Sequence, residues 1–110
     1  MTTVYWLVKL RPGVSAEDYQ RFVQTVDYPE IQHIASIRSY RSNRVVGSLP
    51  EGNVLPCDFI DVVEVVDLEA YVRDLKEHPA VERVHSQSPN LVDVVDCLVA
   101  EAVPARAQDG

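Results

Sequence analysis

Residues 3–10, TVYWLVKL, are apolar on both faces of an extended chain. Val4, Trp6, Val8 and Leu10 fall on one side; Tyr5, Leu7 and Lys9 fall on the other. This pattern predicts a strand covered on both sides. Arg11-Pro12-Gly13 then signals a turn. The period changes next: Tyr19, Phe22, Val23 and Val26 lie at i, i+3, i+4 and i+7, one stripe of a helix. Ser15, with Asp18 three residues on, is placed to cap it. The helix should end near Asp27, because Pro29 disfavours helical dihedrals at Tyr28.

A second strand is expected over about 34–46. It is the most polar one, with Arg38, Arg41 and Arg44, and charge of that kind suits a sheet edge. The segment 47–56, GSLPEGNVLP, reads as a loop, and 57–66 as a third strand. Asp67 should cap a second helix on the stripe Leu68, Tyr71, Val72 and Leu75. Pro79 interrupts that helix, and Val81, Val84, His85 and Ser88 restart the spacing. A fourth strand is expected over 91–101.

The order β-α-β-β-α-β predicts an α+β, ferredoxin-like domain over 1–103. Its plan is one four-stranded antiparallel sheet with both helices on one face, followed by a frayed tail at 104–110. Strands one, three and four are apolar on both faces, so the face without helices needs cover. A second copy packed sheet to sheet, a homodimer, supplies it most economically.

The chain of 110 residues carries a net charge of −7, which argues against nucleic acid or an anionic membrane as partner. No stretch approaches the roughly 18 continuous apolar residues of a membrane span. The opening MTTVYWLVKL lacks the basic start and small-residue cleavage site of a signal peptide, so the expected compartment is cytoplasmic. Cys57 and Cys97 sit in strand-like apolar runs and are expected as buried apolar residues, not as a disulfide.

Chemistry must come from convergence, because the sequence holds no GxGxxG, P-loop, CxxC or HExxH. The space between sheet and helices is the natural pocket. His85 shares the inward stripe with Val81 and Val84, where it is either a core histidine or an acid–base group active near neutral pH. His33 opens the second strand, exposed to solvent or at a site mouth. His78, before Pro79, is expected at a helix C-terminus, favoured by the dipole. No familiar metal spacing links the three histidines, and no metal is expected.

Asp61, Glu64, Asp93 and Asp96 interrupt apolar strands. A buried carboxylate is costly unless paired, so pairing with Lys9, Arg38, Arg41 or Arg44 is one reading; a substrate-facing role is the other. Members of each pair are three apart, so one of each should face the helices and the other the dimer partner. Tyr28 and Tyr40 flank His33 and would form a polar wall; Trp6 is either core or pocket floor. Tyr19, Phe22 and Tyr71 lie on helix stripes and read as core.

The opening VYWLVKLRPGVSAEDYQRFVQTVDYP, followed by IASIRSYRSNRV, resembles the RedY-like (HapK-like) proteins of the dimeric α+β barrel superfamily. The resemblance spans about 3–101, and LVKLRPGV, DYP and SI..Y...R are its most specific pieces. It implies a homodimer acting in prodigiosin or bisindole biosynthesis, on a pyrrole- or indole-derived intermediate, with no organic cofactor. Plant-type cyclases of the superfamily carry a tyrosine and a histidine around an HPAH segment. This chain has HPAV at 78–81, with Leu75 and Val81 at those places, so that chemistry is not implied. The haem-degrading branch needs a tryptophan in the second-helix region, and the only tryptophan here is Trp6. The expected function is a cofactor-independent enzyme, with His85 and His33 handling protons. Tyr28, Tyr40, Trp6, Asp61 and Glu64 would hold a small aromatic N-heterocycle. The alternatives are a non-catalytic protein that sequesters such an intermediate and a stress-response barrel with a filled core.

Overall fold

A computed structural model describes residues 1–106. Strand β1, Thr2–Leu10, leads through a turn to helix α1, Ala16–Phe22. The turn needs a left-handed residue, and Gly13 supplies it with φ +84°. The capping box forms as expected: Ser15 Oγ accepts from the Asp18 N–H, and Asp18 Oδ2 accepts from the Ser15 N–H, both at 3.0 Å.

The helix does not stop at Asp27. It widens into a π turn, Val23–Asp27, in which the Tyr28 N–H reaches the Val23 carbonyl, and continues as α2, Tyr28–Ile31. Pro29 lies in the first turn of α2, where a missing N–H costs little, and Tyr28 keeps helical dihedrals of −57° and −46°. The register shift of the π turn absorbs the proline that was expected to end the helix. Asp27 is thereby carried inward, to 4% exposure.

Strands β2, Ile37–Arg44, and β3, Phe59–Val65, are shorter at both ends than the hydrophobic runs suggested. Asp67 caps α3, Leu68–Glu77, through its side chain and the Glu69 N–H. The break at Pro79 gives a separate helix α4, Pro79–His85. His78 sits between the two, but its side chain serves the second. Its Nδ1 accepts from the Ala80 N–H at 3.0 Å, so it is an N-cap acceptor for α4, in place of the expected dipole partner of a helix C-terminus. A 3-10 turn, Ser88–Asn90, precedes β4, Val92–Glu101. Of the expected tail, residues 107–110 lie outside the described residues.

The strands form one antiparallel sheet in the order β2-β3-β1-β4, with β2 on an edge as its charge suggested. The inner face presents Val4 and Val8 of β1 and Phe59, Val63 and Val65 of β3, all buried under the helices. Two core clusters build on it. One joins Val8, Phe59 and Val92 to Tyr19, Phe22 and Val23; the other joins Val4, Val63 and Val65 to Tyr71. A third cluster, Ile34, Ala80 and Val81, ties α4 to the segment leading into β2. The outer face carries Tyr5, Leu7, Ile60 and Val62, half-buried without a covering layer in the single chain.

Register settles the strand carboxylates. Asp61 pairs with Trp6 on the inner face and Glu64 pairs with Thr3 on the outer one, as the spacing of three required. Asp93 and Asp96 do not divide. A bulge in the β1–β4 pairing places them opposite Lys9 and Leu7, so both face outward. Ion pairing of the four with Arg38, Arg41, Arg44 or Lys9 does not occur among the described residues. There the ion pairs are Arg21–Asp18, Arg44–Glu17 and Arg83–Glu30. Both cysteines are free thiols, but only Cys57 is buried; Cys97 is exposed on β4.

Candidate functional site

Between the two sheet-based clusters the packing leaves a cavity of ≈ 120 Å³, lined on the sheet side by Trp6, Tyr40, Asp61 and Val94. The helix side contributes Tyr19, Asp27, Tyr71, Leu75, Val84 and His85. A volume of this order suits one aromatic ring, since an apolar cavity of about 150 Å³ holds benzene.

Two buried carboxylates dominate its wall. Asp61, on β3, is 5% exposed. Its Oδ2 accepts from the Tyr19 hydroxyl at 2.6 Å and its Oδ1 from the Ser42 hydroxyl at 2.5 Å. Asp27, in the π turn, accepts at Oδ2 from the Tyr40 hydroxyl at 2.7 Å. Its other oxygen makes no hydrogen bond among the described residues. Among the described residues no sealed side-chain nitrogen or oxygen lacks a partner, so this free oxygen opens onto the cavity. Tyr71 accepts from Trp6 Nε1 at 3.0 Å, and its own proton has no acceptor among the described bonds.

Burial pushes the Asp27 carboxyl up to about 6; neighbouring Asp61 adds to the rise and the Tyr40 hydrogen bond opposes it. Asp61 is raised by burial too, against the hydrogen bonds from Ser42 and Tyr19 and the nearby Tyr40 hydroxyl, which favour its ionised form. Tyr19 and Tyr40 are driven upward by burial and the adjoining carboxylates, so both remain neutral donors. Burial lifts Tyr71 to about 12. The His85 ring is shifted downward by its partial burial, toward the neutral form. The arrangement offers a proton acceptor poised near neutral pH inside an apolar, ring-sized space.

Of the expected site residues, Trp6, Tyr40, Asp61 and His85 converge on this cavity, His85 from the end of α4 where it remains open to solvent. The expected restart Val81, Val84, His85 and Ser88 lines it throughout. Three others do not. His33 is exposed in the turn after α2, because the helix runs on to Ile31 and Ile34 takes the inward position. Glu64 is on the outer face. Tyr28 stands behind the wall. Its ring meets Tyr40 edge-on, with centroids 5.5 Å apart, and its hydroxyl accepts from the Ser42 N–H at 3.2 Å. It braces Tyr40 without lining the cavity.

Sequence reasoning passed over Asp27, Tyr19, Tyr71 and Ser42. Tyr19 and Tyr71 were read as core, and they are buried, but their hydroxyls also hold Asp61 and Trp6. Asp27 had a signal: it follows Tyr19 and Val23 at intervals of four, a carboxylate on the apolar stripe. Among the described residues no group of three or more His, Cys, Asp or Glu is placed to hold a metal ion. Among the described residues no helix is long and apolar enough to cross a membrane.

Sheet order and helix placement define a ferredoxin-like α+β protein. The sequence profile of the REDY-like protein HapK family matches residues 2–103, and the chain belongs to that family. The solved structure of HapK from Hahella chejuensis is similar over 100% of both chains, with TM-score 0.78 and 21% identity. A protein of Arabidopsis thaliana is similar with TM-score 0.72 and 16% identity, over 98% of this chain and 99% of its own. A third, from Bacteroides fragilis, is described as a dimeric protein of unknown function with a ferredoxin-like fold. It covers 92% of this chain and 95% of its own, at TM-score 0.68 and 15% identity. No curated protein matches the sequence.

Proposed function

We propose that the protein is a cofactor-independent enzyme of secondary-metabolite biosynthesis. It takes a pyrrole- or indole-derived intermediate and steers its condensation, cyclisation or oxidative rearrangement. The observation that carries this reading is the Asp27–Tyr40 pair at the wall of a ring-sized apolar cavity, with one Asp27 oxygen unpaired. That oxygen accepts a proton from a heterocyclic N–H, while Trp6 and Tyr40 bound the ring. His85, at the open side, exchanges protons with solvent. A cavity of this volume admits one ring of a bicyclic or two-ring intermediate; the remainder lies at the mouth beside His85.

Membership in the HapK family and the described dimers among similar structures support a homodimer closed through the outer sheet face. The apolar, single-chain-uncovered positions Tyr5, Leu7, Ile60 and Val62 are its expected centre.

A second reading has its own support. Asp61 has both oxygens occupied by hydroxyls, so much of the polar wall is already satisfied, as a binding protein that sequesters an intermediate would require. Incubating the purified protein with pyrrole- and indole-derived intermediates separates the two. Conversion faster than in buffer, lost in Asp27→Asn, supports the enzyme; saturable binding with no conversion supports sequestration.

A further inference from the structure

Among the described residues no Lys or Arg lines the cavity, although two carboxylates do. The ion pairs among the described residues all involve surface side chains elsewhere. An ionised carboxylate removed from water is costly unless an opposite charge or several hydrogen bonds compensate it. Asp61 meets that need with two hydroxyl donors, and Asp27 meets only half of it with one. The groups that share the space with Asp27 are Asp61 from β3, Tyr40 from β2, Tyr19 from α1, Tyr71 from α3 and His85 from α4. Tyr71 is also flanked by Cys97 from β4. None is a standing cation: the tyrosines are neutral donors, and partial burial holds His85 toward its neutral form.

We infer that the cavity takes a single flat ring bearing a positively charged N–H group, seated against the unpaired Asp27 oxygen. This rests on the proposed function and sharpens its substrate class from N-heterocycles in general to those that are cationic when bound. Three features carry it. The free oxygen belongs to a residue that is 4% exposed, is not sealed, and lines the cavity. The volume of ≈ 120 Å³ excludes a fully hydrated ion and suits a ring. Trp6 and Tyr40 line the wall, and aromatic rings attract cations as well as stacking partners. The ligand then supplies the counter-charge that the chain omits, and a neutral ligand of the same shape leaves Asp27 uncompensated.

Benzamidine and benzamide share an outline and differ in charge, which makes them a direct probe. Titrated into the full chain at about pH 7.5, with the Trp6 indole N–H resonance reporting the cavity, benzamidine should bind about tenfold tighter or more. The preference should fade toward about pH 5, as Asp27 takes up a proton, and should vanish in Asp27→Asn. The pH series on the natural chain decides the matter where that variant does not fold. Equal affinity of the two compounds at Trp6, or a preference that persists at the lower pH, overturns the charge inference and leaves the cavity as a ring site. Failure of both to perturb Trp6 overturns the inference and the proposed function together.

Discussion

The Tyr40 hydroxyl donates a 2.7 Å hydrogen bond to Asp27 Oδ2, tying the edge strand β2 to the π turn of the first helix. Without that bond the buried carboxylate would have no hydrogen-bond donor among the described residues. Tyr28 packs edge-on against the Tyr40 ring and keeps the hydroxyl in place. The pair therefore couples a backbone irregularity to the chemistry of the cavity.

Tyr40→Phe removes the donor and little else. Leaving a buried acceptor unsatisfied costs about 1–3 kcal/mol, so the unfolding free energy of the variant should fall by that amount and its urea midpoint should drop. Because the Tyr40 bond favours ionised Asp27, its loss should also raise the Asp27 pKa above about 6. Urea denaturation and a carboxyl-carbon NMR titration read the two effects separately. An unchanged Asp27 titration would sink the assignment of Tyr40 as its positioning residue.

The raised Asp27 pKa sets the sign of a stability–pH relation. The ordinary value is 3.8 and the folded value about 6, so the folded chain holds this proton more tightly than the unfolded one. The associated stability is fully present below about pH 4 and is lost as pH rises through about 6; it amounts to the order of 2–3 kcal/mol. Asp61, raised in the same direction, adds to it. Melting temperatures of the natural chain and Asp27→Asn, compared between about pH 4 and 7, should converge on the acid side. They should separate toward neutrality, with the Asn variant the more stable. Parallel curves would mean that Asp27 titrates normally.

The fold was largely readable because it rests on periodicity. Spacings of two and of three to four identified every strand and both helical regions, and Ser15, Asp67 and Pro79 marked boundaries that the structure keeps. What escaped were register irregularities. The π turn carries the helix past Pro29 and turns Asp27 inward; the bulge in β4 turns both Asp93 and Asp96 outward. The bulge depends on tertiary packing and leaves no local pattern, whereas the inward turn of Asp27 showed only as a carboxylate on the Tyr19–Val23 stripe. The site suffered accordingly. The helix stripe put His85 on the cavity, but strand alternation said only that Asp61 and Glu64 face opposite ways and left Trp6 as core or floor, while His33 followed from a helix end that falls elsewhere. The roles of Tyr19 and Tyr71 were hidden by their hydrophobic bulk, since a stripe position records burial and not the partner of a hydroxyl.

The two histidines should separate cleanly. His33 is exposed and outside the cavity, so His33→Ala should leave ligand affinity and turnover within about twofold of the natural chain. His85 lines the cavity, so His85→Ala should weaken binding or slow turnover by about tenfold or more, if it exchanges protons as proposed. Calorimetric titration with an indole or pyrrole compound and a turnover assay check both. A loss in His33→Ala equal to that in His85→Ala would contradict the placement of the cavity mouth.

The proposed dimer through the outer sheet face makes a specific demand of Leu98. Pairing of β1 with β4 sets Leu98 opposite Tyr5, on the face that also carries Leu7, Ile60 and Val62, and in the single chain it is 48% exposed. Fully burying a leucine is worth roughly 1.5–3 kcal/mol, so covering the exposed half adds about 1 kcal/mol, and two-fold symmetry counts it twice. Leu98→Lys would forfeit that gain and place two ammonium groups at the interface. The dimer should therefore weaken by at least about a hundredfold, while the helix-covered core, which Leu98 does not touch, keeps its circular dichroism. Sedimentation equilibrium at micromolar concentration should give twice the chain mass for the natural protein and the single-chain mass for the variant. A natural chain that sediments as a monomer, or a Leu98→Lys variant that stays dimeric, would move the interface away from this face.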